Sequence, residues 1–314
     1  MKIFLTTARW MLLAACTLQL TACGGITLQT AGETSTRNLA TPVVKTQAST
    51  AEPQKAPVSA ADGLKLARLL RDQGRYEAAA GVYGQLEQRG DLQPLELLEY
   101  ASVAARVQTP QESLALYGRA RRALEAGQQP VPAAARANLC NGLGRARMAT
   151  GQRDAALADF DCALAADPDN VTALNAKGVL LDARGEHTQA QQLLTRASEL
   201  DPADFRILNN LALSHLSSGD TAQAIRLLSQ IEAPQWPTLK LNLAFAQSMT
   251  GDDTGARKTL TTIMTPALAG QALADFSERR ARIAAGASVA EELLAASRQL
   301  LPLREAGSQE GDRG

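Results

Sequence analysis

Residues 138–170 read NLCNGLGRARMATGQRDAALADFDCALAADPDN. Gly151 divides two segments with apolar residues three and four apart, the spacing of helices that each bury one face. Gly144 stands seven residues before that glycine, Ala156 five after it and Phe160 four further on. The same arrangement returns around Gly185, Gly219 and Gly251, at intervals of 34, 34 and 32 residues. Gly74 lies 77 residues before Gly151, the length of one such unit plus an enlarged one. The small positions are Ala67, Gly144, Gly178, Ala212 and Ala244 before the glycines, and Ala79, Ala156, Ala190, Ala224 and Ala256 after them. Tyr83, Phe160, Leu194, Leu228 and Leu260 are the bulky partners. Small residues let two helices approach closely, and bulky ones fill the space between neighbouring pairs.

This pattern resembles the tetratricopeptide repeat, a 34-residue helix-turn-helix with Leu-Gly in its first helix, Ala-x3-Phe in its second and Pro at its end. Leu143-Gly144, Ala156 with Phe160, Ala163 and Asp167-Pro168 carry the resemblance, repeated as Gly178, Ala190, Ala197 and Asp201-Pro202, then as Leu211-Ala212 and Ala224. Cys140, Leu174, Leu208 and Lys240 replace the usual first-helix Trp. Tyr100-Ala101 and Tyr117-x2-Ala120 mark a divergent repeat over 94–126, and 127–132, with two prolines, reads as an insertion loop. The resemblance implies an all-α, right-handed superhelix of about five to six repeats over 60–266; a single helical bundle is the alternative. Amphipathic segments at 271–285 and 288–300 are expected to form capping helices within 267–303. They would cover the stacking face of the last repeat. A polar tail, expected to be disordered, follows at 304–314.

Ahead of the repeats, Lys2 and Arg9 precede an apolar run from Trp10 to Leu20 that ends in Leu20-Thr-Ala-Cys23. The run has the length of a secretory signal and is too short to span a bilayer. Its end resembles the cleavage box of bacterial lipoproteins, which implies removal of 1–22 and lipidation of Cys23. Gly24 then implies transfer to an outer membrane, facing the periplasm. An ordinary secretory signal or an uncleaved anchor is the alternative. Residues 24–59 are rich in Thr, Ala, Ser, Gln and Pro without a sustained apolar period, and read as a tether reaching about 30 Å.

Lys plus Arg and Asp plus Glu number 32 each, so losing Lys2 and Arg9 leaves a net charge near −2. With 4% aromatic residues and no basic stripe, nucleic-acid binding is not expected. Neither His187, read in a turn, nor His215 has a Cys or His partner at metal-ligand spacing. Gly142-x-Gly144 lacks a third glycine and a preceding strand, and no nucleophile elbow or phosphate loop occurs. Neither catalysis, metal nor cofactor is expected. Cys140 and Cys162 should lie side by side on antiparallel helices, either as a disulfide closing 22 residues or as two buried thiols. Asn141, Asn175 and Asn209 stand ten residues before their glycines, and Asn210 and Asn242 nine before theirs. By resemblance these offsets line the concave groove, where amides could hold a peptide, with Arg145 and Arg206 adding charge. Hydrogen bonding between adjacent helices is the other reading.

Leu208-Asn-Asn-Leu-Ala-Leu-Ser, Ser218-Gly-Asp-x3-Ala-Ile, Leu241-Asn-Leu-Ala-Phe-Ala and Thr250-Gly-Asp-Asp are similar to the TadD-like repeat lipoproteins of the tight-adherence (Flp) pilus system. That resemblance spans about 138–260. It implies an outer-membrane scaffold that helps the pilus secretin assemble by gripping a segment of it. The alternatives are another repeat lipoprotein, such as a type IV pilotin, or an adaptor that recruits peptidoglycan hydrolases.

Overall fold

Small side chains decide how each helix pair closes. A Cβ on Gly144 would come within 2.7 Å of the Phe160 ring, and one on Gly178 within 2.7 Å of Leu194. The computed structural model describes residues 59–127, 129–232 and 235–311; the readings on the signal peptide, on Cys23 and on the tether to 58 lie outside the described residues.

The described residues form helices joined by short turns, and no strand occurs among them. Six antiparallel pairs follow one another: α1 (Ala60–Asp72) with α2 (Tyr76–Gln88), α3 (Pro94–Ala104) with α4 (Pro110–Ala126), and α5 (Ala133–Ala149) with α6 (Arg153–Ala166). Next come α7 (Val171–Asp182) with α8 (His187–Leu200), α9 (Phe205–Ser217) with α10 (Thr221–Ser229), and α11 (Pro237–Met249) with α12 (Asp253–Leu260). Each helix packs on the one before and the one after it, so every repeat buries its face on its neighbours. The fold is the all-α repeat superhelix.

Local chemistry sets the helix ends. In the turn after α5, the Gly151 amide donates to the Met148 carbonyl and that of Gln152 to the Arg147 carbonyl, while Gly151 holds φ at 79°. A residue with a Cβ is strained there, so glycine recurs at this place. Asp220 and Asp252 open α10 and α12 by accepting backbone N–H bonds from Gln223 and Gly255. Pro168 and Pro202 lie just past α6 and α8, where the helix must stop. The α3–α4 turn has no glycine; Thr109 and Glu112 close a capping box there, with Pro110 at the first helical position.

Two helices follow the sixth pair, α13 (Pro266–Ala284) and α14 (Val289–Gly311). α13 covers the end of the stack: Phe276 is fully buried and meets the Phe245 ring edge-on at 5.1 Å. α14 continues past Leu303 and does more than cap. It turns at Gly286, φ 103°, and packs back on α11 and α9, burying Leu293, Ala296 and Leu300. The joint is polar. Arg279, 4% exposed, donates to both carboxylate oxygens of Asp275 at 2.6 and 2.9 Å, to the carboxylate and carbonyl of Glu292 at 3.0 Å, and to Gln299 at 3.0 Å. A buried guanidinium requires such complete pairing.

Candidate functional site

The asparagine row lies along α5, α7, α9 and α11, the first helices of their repeats. Its amides bond mainly to each other. Asn210 donates to the Asn175 side-chain oxygen at 2.9 Å, tying α9 to α7, and Asn242 donates to that of Asn209 at 2.8 Å, tying α11 to α9. Asn242 is 3% exposed, so its amide needs that partner. Asn141 donates at 3.5 Å to Asn170, the residue that caps α7, while its own side-chain oxygen is buried without a partner. The row is therefore a set of inter-repeat bonds as well as a groove lining.

Two clefts open along this row. One, of ≈ 640 Å³, holds Arg106, Arg145, Asn175, Val179, Arg206 and Asn210 in its wall. Arg206 is committed to Asp204: they pair at 2.6 Å, and Arg206 holds the Asp204 carboxyl below the usual carboxylate range. Arg145 is exposed and makes no ion pair among the described residues. The second cleft, of ≈ 340 Å³, lies between α14 and α7, α9 and α11, with Val179, Asn209, Asn210, Leu213, Asn242 and Leu294 in its wall. Asn175, Asn209, Asn210, Asn242, Arg145 and Arg206 thus share one surface; Asn141 is the member that stays apart from both clefts.

Val179, Arg106 and Leu294 also belong to this surface; Val179 stands six residues before Gly185, as Arg145 and Leu213 stand before Gly151 and Gly219, whereas Arg106 and Leu294 carry no signal in the repeat register. Arg106 follows α3 at the place where other repeats have their turn glycine, and stacks over Tyr76 at 4.8 Å. Leu294 reaches the groove because α14 folds back onto it. Cys140 and Cys162 join α5 to α6 through a disulfide, S–S 2.04 Å and Cα–Cα 5.8 Å. His187 begins α8 rather than lying in a turn, its ring nitrogen 2.7 Å from Asp182. His215, on α9, lies 3.5 Å from Asp220. Among the described residues no group of three or more His, Cys, Asp or Glu is placed to hold a metal ion, and no helix is long and apolar enough to cross a membrane.

Models of the tetratricopeptide repeat match residues 141–204 and 180–238, and another matches 64–96. The structure is a tetratricopeptide-repeat superhelix. The uncharacterized protein y4yS of Sinorhizobium fredii is 40% identical over 81 residues, 26% of this chain, and the chain spans 44% of that relative's length. A tetratricopeptide repeat protein from Parabacteroides merdae aligns with TM-score 0.52 at 17% identity, covering 76% of this chain and 99% of that one. PilW, described as a type IV pilus biogenesis factor, aligns with TM-score 0.52 at 17% identity, covering 65% of this chain and 91% of its own. At such identities the likeness is one of fold.

Proposed function

We propose that this chain is a non-enzymatic scaffold lipoprotein of an outer membrane that grips a segment of the pilus secretin of a tight-adherence (Flp) system in its inner groove. Two adjoining clefts, one along α5, α7 and α9 and one between α14 and α7, α9 and α11, carry the reading, since they offer amides, two arginines without an ion pair among the described residues and apolar side chains to a polypeptide. Tetratricopeptide repeats are typically scaffolds without catalytic activity, which agrees with a groove built from Asn, Arg and aliphatic residues. The cleavage box ending at Cys23 supports a lipid anchor, and two or more acyl chains would make it stable. PilW's description as a pilus biogenesis factor favours pilus assembly, and equally supports a second reading, a pilotin of type IV pili.

Deleting the gene is expected to lower secretin multimers in the outer membrane and to abolish pili. Normal multimers and normal pili in the deletion strain would reject the pilus assignment. Affinity purification of the membrane-anchored chain, followed by mass spectrometry, separates a tight-adherence secretin from type IV components and from peptidoglycan hydrolases.

A further inference from the structure

We infer that the groove takes an amphipathic helix of a partner protein, with its apolar face on Val179, Leu213 and Leu294 and its acidic N-terminal end on Arg106 and Arg145. This rests on the groove reading above and names the chemistry of the segment held there. The two clefts share Val179 and Asn210 as wall residues, so they adjoin on one surface that has a charged end and an apolar end. At the apolar end Val179 is 36% exposed and Leu294 52% exposed, large side chains left open on facing walls. An apolar surface entering between them would cover both.

At the charged end, Arg106 and Arg145 are exposed and make no ion pair among the described residues. Arg206 is neutralised by Asp204, which leaves Asp201 as the opposing acid and the cleft with a positive excess. Carboxylates of an incoming segment complement it. The N-terminal turn of a helix is where carboxylates are most favourable, so the acidic end is the N-terminal one.

One observation favours a helix over an extended strand: the adjoining stretch of the same face already seats one, because α14 lies on α9 and α11 through Leu293, Ala296 and Leu300.

The test uses the full-length chain with Cys23→Ser and fluorescein-labelled synthetic peptides of about 16 residues that copy the Leu-x2-Ala-x3-Leu spacing of 293–300. One carries a glutamate block at its N-terminal end, one a lysine block there, and one the glutamate block with a central proline. Fluorescence anisotropy at low salt is expected to show the glutamate peptide binding about tenfold more tightly than either of the others. Arg106→Glu with Arg145→Glu is expected to reverse the order of the glutamate and lysine peptides, with circular dichroism melting confirming the fold. Val179→Asp is expected to weaken the glutamate peptide about tenfold.

Equal binding of the charged peptides, an unchanged order in the double variant, an unaffected proline peptide, or no binding at all overturns the inference. Purified secretin that binds the wild-type chain and the double variant equally also overturns it, and leaves the scaffold function standing. Peptide preferences as expected, in a strain whose secretin is indifferent to the chain, uphold the helix site and reject the pilus assignment.

Discussion

Glycine has opposite meanings at two places on these helices. Gly81 lies in α2 with nothing within 4 Å of a Cβ built there, whereas Gly144 faces the Phe160 ring at 2.7 Å. Alanine at 81 removes the helix cost of glycine at no steric expense, so Gly81→Ala should stabilise the fold by about 0.5–1 kcal/mol. Gly144→Ala gains the same propensity but forces a fully buried ring to move, and should destabilise by about 1–2 kcal/mol net. Urea titrations of both variants check the two signs. Cys140 and Cys162 provide a second measurement, because a cross-link closing a loop of this separation restricts the unfolded chain. Reduction is expected to lower stability by about 3 kcal/mol, and the denatured, unreduced mature protein is expected to release no thiol from this pair. Two reactive thiols from the denatured protein would contradict the bond.

Helices are joined across repeats by charged groups whose ionisation can be followed. Glu99 of α3 accepts two bonds from Arg68 of α1, each at 2.8 Å, and one from the Tyr83 hydroxyl of α2 at 2.9 Å. Burial works against its charge, but the bonds from Arg68 and Tyr83 outweigh that and hold its carboxyl below the usual range. Its folded value is therefore lower than its unfolded one. The stability it contributes is fully present above the unfolded carboxyl range and is lost as the pH falls through the folded value. Glu99→Gln should narrow the difference in urea midpoint between about pH 6 and pH 3, a change the wild-type comparison measures. At the other end, Arg279 holds α14 to α13. Arg279→Ala leaves Asp275 and Glu292 facing each other beside the core, and is expected to cost about 3 kcal/mol in thermal unfolding. An unchanged melting temperature would mean that α14 does not rely on this joint.

For the whole chain, the proposed anchor and the proposed groove can be tested separately. Cys23→Ser should leave the repeat body folded and able to hold its partner, but mislocalised. Separation of inner and outer membranes together with circular dichroism measures both; a variant that still reaches the outer membrane as the wild type does would contradict a lipid anchor at this residue. The superhelix is built from contacts between successive helices, so no step of its assembly needs distant parts of the chain until α14 folds back.

That nearest-neighbour logic explains what was legible in the residues. A turn glycine, with a small residue before it and a small and bulky pair after, determines how the helices meet in five of the six pairs, and the α3–α4 pair, without that glycine, completes the superhelix. The antiparallel pairing of α5 with α6 likewise brings Cys140 beside Cys162. The amides are different: Asn210 meets Asn175 at 35 residues' distance and Asn242 meets Asn209 at 33, a choice between groove lining and inter-repeat bond that depends on separations of a few ångströms between helices. Arg106 sits in a glycine-free turn of the most divergent repeat, so periodicity does not place it at the cleft. α14 is amphipathic in sequence, yet amphipathicity says only that one face is buried and not against which helices. Its return to α9 and α11 depends on the Gly286 turn and on Arg279 finding Glu292 and Gln299, long-range contacts that no local repeat encodes.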